Sequence, residues 1–157
     1  MTRRAVGAAL AAVMALTTCS SDDDGDGDDG DDRPSDVTVT DAWARTSPVG
    51  ATTGAVYFTI ESDAPDTVQG VAVGPSIAGG AELHTSMVTT DGASTMQPLP
   101  EVALPAGDTV ALAPNGDHVM LVDLAAPLAA GATFDVTLHF ATAADQVVTV
   151  NVSDDAP

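Results

Sequence analysis

From Val37 onward the chain never holds one pattern for more than about nine residues, which excludes most folds at the outset. Runs rich in Val, Thr and Ala occupy 37–45, 54–62, 66–73, 81–87, 108–113, 118–124, 133–141 and 146–152. Gly, Pro, Asp and Asn separate them. No stretch sustains a 3.6-residue apolar period, so nothing here predicts a long helix. Several runs alternate instead: Phe134, Val136, Leu138 and Phe140 share one strand face, while Thr137 and His139 take the other. About eight short strands with turn residues between them predict an all-β fold, an antiparallel β-sandwich of roughly 115 residues. Asn115-Gly116, between "DTVALA" and "HVMLVDL", predicts a hairpin, because both turn positions tolerate positive φ. His118 then stands at the turn end of a strand, and sandwich loops gather at such ends, where binding groups are usually displayed.

The first 36 residues follow other rules. Arg3 and Arg4 precede an uncharged run from Ala5 to Leu16, then Thr17, Thr18 and Cys19. A basic start, a short apolar run and small residues make residues 1–19 a secretory signal, too short to cross a bilayer as a mature helix. Leu16-Thr17-Thr18-Cys19 resembles the bacterial lipoprotein box, with Thr18 where that pattern prefers Gly, Ala or Ser. The resemblance implies lipidation at Cys19 and an anchor on the outer face of the cytoplasmic membrane, at the cell surface or in the periplasm. Residues 20–36 carry nine aspartates and one arginine with nothing apolar to bury, which predicts a disordered, self-repelling spacer. Its Asp-Gly alternation lacks the closing Glu of an EF-hand loop, so calcium binding is not expected. The folded domain is expected over 37–153, with 154–157 as a tail.

Charge and cysteine content exclude several functions. All 23 acids lie beyond Cys19, against only Arg33 and Arg45, and there is no lysine. Such a chain is unsuited to nucleic acid or to anionic lipid headgroups. Cys19 is the only cysteine, so disulfides are excluded, as are thiolate zinc sites and blue-copper electron-transfer sites.

The side chains that could carry chemistry beyond the signal are few: His84, His118, His139, Met87, Met96 and Met120. His118 and Met120 sit two apart on a strand, so both point to one face, about 7 Å apart. Met96 lies in the polar segment "STMQP" before a proline, an unusual place for an apolar side chain. His84 shares a face with Glu82 and Ser86, whereas Leu83, Thr85 and Met87 take the other. Two imidazoles and two thioethers make a soft donor set suited to copper(I); zinc more often recruits Cys or carboxylates, and calcium or magnesium recruits oxygen. Each residue alone has an ordinary alternative. Met120 can fill a core beside Val122 and Leu124, and a single histidine is more often plain surface. His139 falls on the solvent side of its strand and is assigned no role. Met87, on the face opposite His84, is at most an auxiliary ligand.

These residues also resemble a known signature. His84, eleven residues, Met96, twenty-one residues, then His118-Val119-Met120 is similar to the motif of the periplasmic copper chaperone family called PCuAC. That motif has His, about ten residues, Met, twenty-one residues and His-x-Met; the extra residue here falls in "TTDGAS". "DAWAR" (41–45), "GAVYFTI" (54–60), "LAPNGDHVML" (112–121) and "LAAPLAAGATFDVTLHF" (124–140) extend the resemblance over most of 37–152. It implies a cupredoxin-like β-sandwich binding one copper(I) through His84, Met96, His118 and Met120. It implies delivery of copper outside the cytoplasm, notably to the dinuclear copper centre of cytochrome c oxidase.

The expected function is therefore that of a lipid-anchored copper(I) metallochaperone, exchanging its ion by stepwise ligand replacement at an exposed end of the sandwich. The expected partners are an apo cytochrome c oxidase subunit or another copper-transfer protein, and the membrane through the anchor, with the domain acting as a monomer. No catalytic grouping can be read from Glu61, Glu82 and Glu101, so no enzyme is expected. Copper scavenging or buffering at the cell surface uses the same ligands without a dedicated recipient. A purely structural sandwich predicts no copper affinity.

Overall fold

A computed structural model describes residues 34–157. The signal segment, Cys19 with its lipidation, and the linker up to residue 33 lie outside the described residues. Ten strands follow one another without a helix among the described residues: β1 (Val37–Arg45), β2 (Thr53–Ser62), β3 (Asp66–Val73), β4 (Ala78–Val88), β5 (Ser94–Pro98), β6 (Val102–Leu104), β7 (Thr109–Leu112), β8 (Asp117–Leu124), β9 (Thr133–Phe140) and β10 (Gln146–Ser153). Eight of these match the expected runs. The other two, β5 and β6, are short, abut prolines and lack a β-branched alternation, so no sequence pattern marks them.

The strands pair in the order β5-β4-β8-β2-β1-β10-β9-β3-β6, with β7 also on β2. This array folds over itself, bringing Gln69–Val71 of β3 back beside Ala81–Leu83 of β4. Between the two layers lies one core. Val56, Phe58, Ile60, Leu83, Val119 and Leu121 come from one half, and Val68, Val136, Leu138 and Val150 from the other, all buried. The expected sandwich is present, and its pairing is antiparallel except at one seam. There β1 runs parallel to β10, with Trp43 beside Asn151 and Arg45 beside Ser153. A parallel seam needs no turn of its own, and for that reason no local sequence signal announces it.

Two irregularities on either side of β2 set up the outer face. In β1 the register shifts between Thr40 and Trp43, with Asp41 at φ 53°, so a bulge carries Trp43 onto the face of Tyr57. On the other side the expected Asn115-Gly116 hairpin is not formed. β7 pairs Phe58–Glu61 and β8 pairs Thr53–Val56, both antiparallel to β2, so they are two pieces of one interrupted strand. Residues 113–118 all stand opposite the single residue Tyr57. Gly116 N–H donates to the Ala113 carbonyl at 3.1 Å, with Pro114 leading and Asn115 at φ 69°. That is a type II turn, for which Pro114 supplies the fixed φ and Asn115 the positive one. The proline turned the Asn-Gly pair from a chain reversal into an excursion.

Candidate metal centre

Because Leu83, Val119, Leu121 and Val56 point into the core, their neighbours in sequence point outward. In the β4–β8 pair His84 stands opposite His118 and Glu82 opposite Met120; Met120 in turn faces Ala55 on β2. In the β4–β5 hairpin Met96 stands opposite Ser86. His84, Met96, His118 and Met120, the four residues singled out by the sequence, therefore share one outer face. His84, His118 and Met120 lie on strands as expected, with His118 at the turn end of β8, and Met96 proves to lie on a strand as well. Met87 pairs with Thr95 and occupies the other face. His139 is on β9, where its Nδ1 meets Asp145 Oδ2 at 2.8 Å, apart from this group.

The two imidazoles form the floor. Their ring centroids are 6.2 Å apart. His118 is 3% exposed, and beyond it lie Tyr57 at 6.3 Å and then Trp43, 4.8 Å from Tyr57. Burial raises the Tyr57 hydroxyl above its ordinary pKa, partly offset by the positive charge of Arg45.

The hydrogen bonds settle which ring nitrogens are free. His118 Nδ1 lies 2.9 Å from the Gly116 carbonyl, which can only accept, so Nδ1 carries the hydrogen and Nε2 keeps its lone pair. The excursion at 113–116 is what brings that carbonyl round, and Ser86 N–H on β4 holds it with a second bond of 3.0 Å. His84 Nε2 lies 3.0 Å from Glu82 Oε2, so there Nε2 donates to a carboxylate. His84 Nδ1 is left buried without a hydrogen-bond partner. An orphaned buried nitrogen is costly unless something outside the chain uses it. Each ring is thus oriented by an outer N–H bond, one to a carboxylate and one to a backbone carbonyl, and each keeps one lone pair. Metal-ligating histidines almost always have this arrangement.

The thioethers form the rim. Met96 is 56% exposed, while Met120 is half-buried beside Ala55. Met96, His118 and Met120 border a groove of about 210 Å³ that extends over Thr53–Ala55 to Arg45, Ser47 and Pro48. Among the described residues no three side chains of His, Cys, Asp or Glu converge, so any ion held here would draw on sulfur as well as nitrogen. Sequence reasoning placed Glu82 on the face of His84 but gave it no role there; its spacing of two residues on that face was the available signal.

The family described as "Putative lipoprotein LpqE-like" matches residues 37–152. The "Putative lipoprotein Lxx21020" of Leifsonia xyli subsp. xyli is 38% identical over 119 residues, which cover 75% of this chain and 70% of that one. Among solved structures, the apo PCuAC domain from PmoF1 superposes with a TM-score of 0.62 at 28% identity, covering 77% of this chain and 94% of that domain. The solution structure of CuI-DR1885 from Deinococcus radiodurans matches with a TM-score of 0.54 at 29% identity, covering 78% of each chain. The chain belongs to the LpqE-like lipoprotein family, and its sandwich is a PCuAC domain.

Proposed function

We propose that the domain binds one copper(I) ion through His84 Nδ1, His118 Nε2 and the Met96 and Met120 sulfurs, and passes it on outside the cytoplasm. The observation that carries this reading is the pair of histidines opposite each other on β4 and β8, each ring oriented by one hydrogen bond that leaves its other nitrogen without a partner. With metal–nitrogen bonds of about 2.0–2.1 Å and the ring radius added, two imidazoles sharing one ion have centroids at most about 6.3 Å apart. The observed 6.2 Å lies just inside that reach, so gathering the two sulfurs as well would draw the imidazoles slightly together. Four neutral donors leave the single positive charge of copper(I) intact, which suits a cargo that must leave again. The copper named in the relatives' structures, copper(I) in DR1885 and copper in a PCuAC domain from PmoF2, agrees with this choice of ion.

The role is carriage and not catalysis, and the recipient that fits is the dinuclear copper centre of cytochrome c oxidase. A lipid anchor at Cys19 and the acidic spacer of residues 20–36 would hold the domain near membrane-bound clients. The test is a copper(I) titration of the chain against a competing chelator, beside a His118→Ala/Met120→Ala double variant. One tight equivalent in the natural chain, lost in the variant, is expected. Equal competition by both proteins would overturn the reading. Transfer to an apo-oxidase copper domain faster than spontaneous release separates a chaperone from a buffer.

A further inference from the structure

The ligands use only part of the outer face. Between β8 and β1 that face is open, because the β2 residue there is Ala55, whose methyl leaves the space above it empty. The groove of about 210 Å³ runs across Ala55 from Met120 to Arg45. Arg45 follows Trp43 by two residues on β1, so both share the face of Tyr57 and Ala55. Two strand spacings, about 9–10 Å, separate the Arg45 backbone from that of Met120.

Arg45 is the only lysine or arginine among the described residues, in a chain with 23 acids, yet no described carboxylate pairs with it. Beside copper(I) held by neutral donors, an unpaired guanidinium repels the cargo and attracts anions. The groove is too small for a polypeptide segment and is sized for one side chain. Its walls are largely apolar, and its lining includes Pro48 and exposed Met96. An apolar lining of this kind suits contact with another protein's surface. An occupant must then be anionic for Arg45, soft for copper(I), and carried by a protein. A carboxylate meets the first requirement and fails the second; a cysteine thiolate meets all three.

Resting on the copper(I) reading above, we propose that this groove admits a cysteine thiolate of the recipient protein, guided by Arg45, as the ligand that draws copper(I) out. The step is a ligand substitution. A copper–thiolate bond forms, a copper–thioether bond to Met120 or Met96 breaks, the thiol proton has already gone to solvent, and copper stays copper(I).

The test follows transfer from the copper(I)-loaded chain to two peptides, one offering a pair of cysteines and the other with methionines in their place. In Arg45→Gln the ratio of the cysteine rate to the methionine rate is expected to fall roughly three- to tenfold, and Arg45→Lys to restore most of it. An unchanged ratio in Arg45→Gln, with copper bound normally, would overturn the groove's role and leave the copper site standing. Glutathione drawing copper as fast as the cysteine peptide, with the same dependence on Arg45, would overturn a protein-borne occupant. A natural chain that takes up no copper(I) would remove both proposals together.

Discussion

The Glu82–His84 bond makes the copper reading quantitative. Glu82 is not among the proposed ligands; it accepts from Nε2–H at 3.0 Å and so leaves Nδ1 buried and free. Loss of such an outer partner typically weakens metal affinity 10–100-fold. Glu82 is 56% exposed, so water screens its charge and can replace it in part, which favours the low end of that range. Glu82→Leu, which removes the acceptor, should weaken copper(I) binding roughly tenfold, about 1.4 kcal/mol. Glu82→Gln keeps an acceptor oxygen without the charge; charge assistance roughly doubles such bonds, so a loss of about threefold is expected. The assay is competitive copper(I) titration of the three proteins, with ring-nitrogen NMR shifts of His84 reporting which nitrogen carries hydrogen. Both variants should unfold within about 0.5 kcal/mol of the natural chain, since the site is on the surface. A Glu82→Leu protein that binds within twofold of the natural chain would refute the idea that this bond prepares His84.

Three further outcomes are expected. Met96→Leu should lower copper(I) affinity at nearly unchanged stability, whereas Met87→Leu, on the opposite face, should leave affinity as it was; parallel titrations decide. The single tryptophan, Trp43, connects through Tyr57 to His118, so its emission should change on copper(I) binding and stay constant in His118→Ala. Asp66 accepts hydrogen bonds from the Ser35 hydroxyl and from the N–H groups of Thr67, Thr142 and Ala143, joining the start of β3 to the loop after β9. Burial pushes its pKa up, but the hydrogen bonds outweigh it and hold the carboxyl below its ordinary value of 3.8. A depressed folded pKa stabilises above the unfolded value, so this contribution should fade as pH drops from about 4 through the lower folded value. Asp66→Ala should cost about 1–2 kcal/mol by stranding the Ser35 hydroxyl and part-buried backbone donors, visible as a fall in the thermal midpoint and a flatter acid-unfolding profile.

The parts of the molecule written in periodicity were legible from the sequence. Alternation gave the faces of β4, β8 and β9, and with them the shared orientation of His118 and Met120 and the separation of Met87 from His84. Tertiary pairing was not legible. Nothing local tells β7 to pair with β2, and Asn115-Gly116 pointed to a reversal that Pro114 and the length of β2 override. Met96 read as an odd residue in a polar segment; only its pairing opposite Ser86 puts it in a strand on the ligand face. Arg45 carried no signal beyond its rarity, because its place beside the groove depends on a bulge at Asp41 that no composition rule announces.

The burial of the four proposed ligands runs from closed to open, and that order has a mechanical meaning. His118 is 3% exposed and pinned through Gly116 to β4, with Tyr57 and Trp43 behind it. The His84 side chain is 12% exposed and held by Glu82. Met96 is 56% exposed on the short edge strand β5, which has only β4 for a neighbour. Edge positions with few buried contacts open locally at low cost, whereas the β2–β8–β4 centre opens only with the whole fold. On the proposed reading, a rigid nitrogen floor would keep the ion placed while the outer sulfur lets go, so exchange could start without disturbing the imidazoles. The same division explains why the excursion at 113–116 is compatible with a stable sheet. It interrupts the strand opposite Tyr57 alone, and the carbonyl it turns inward is the one that orients His118.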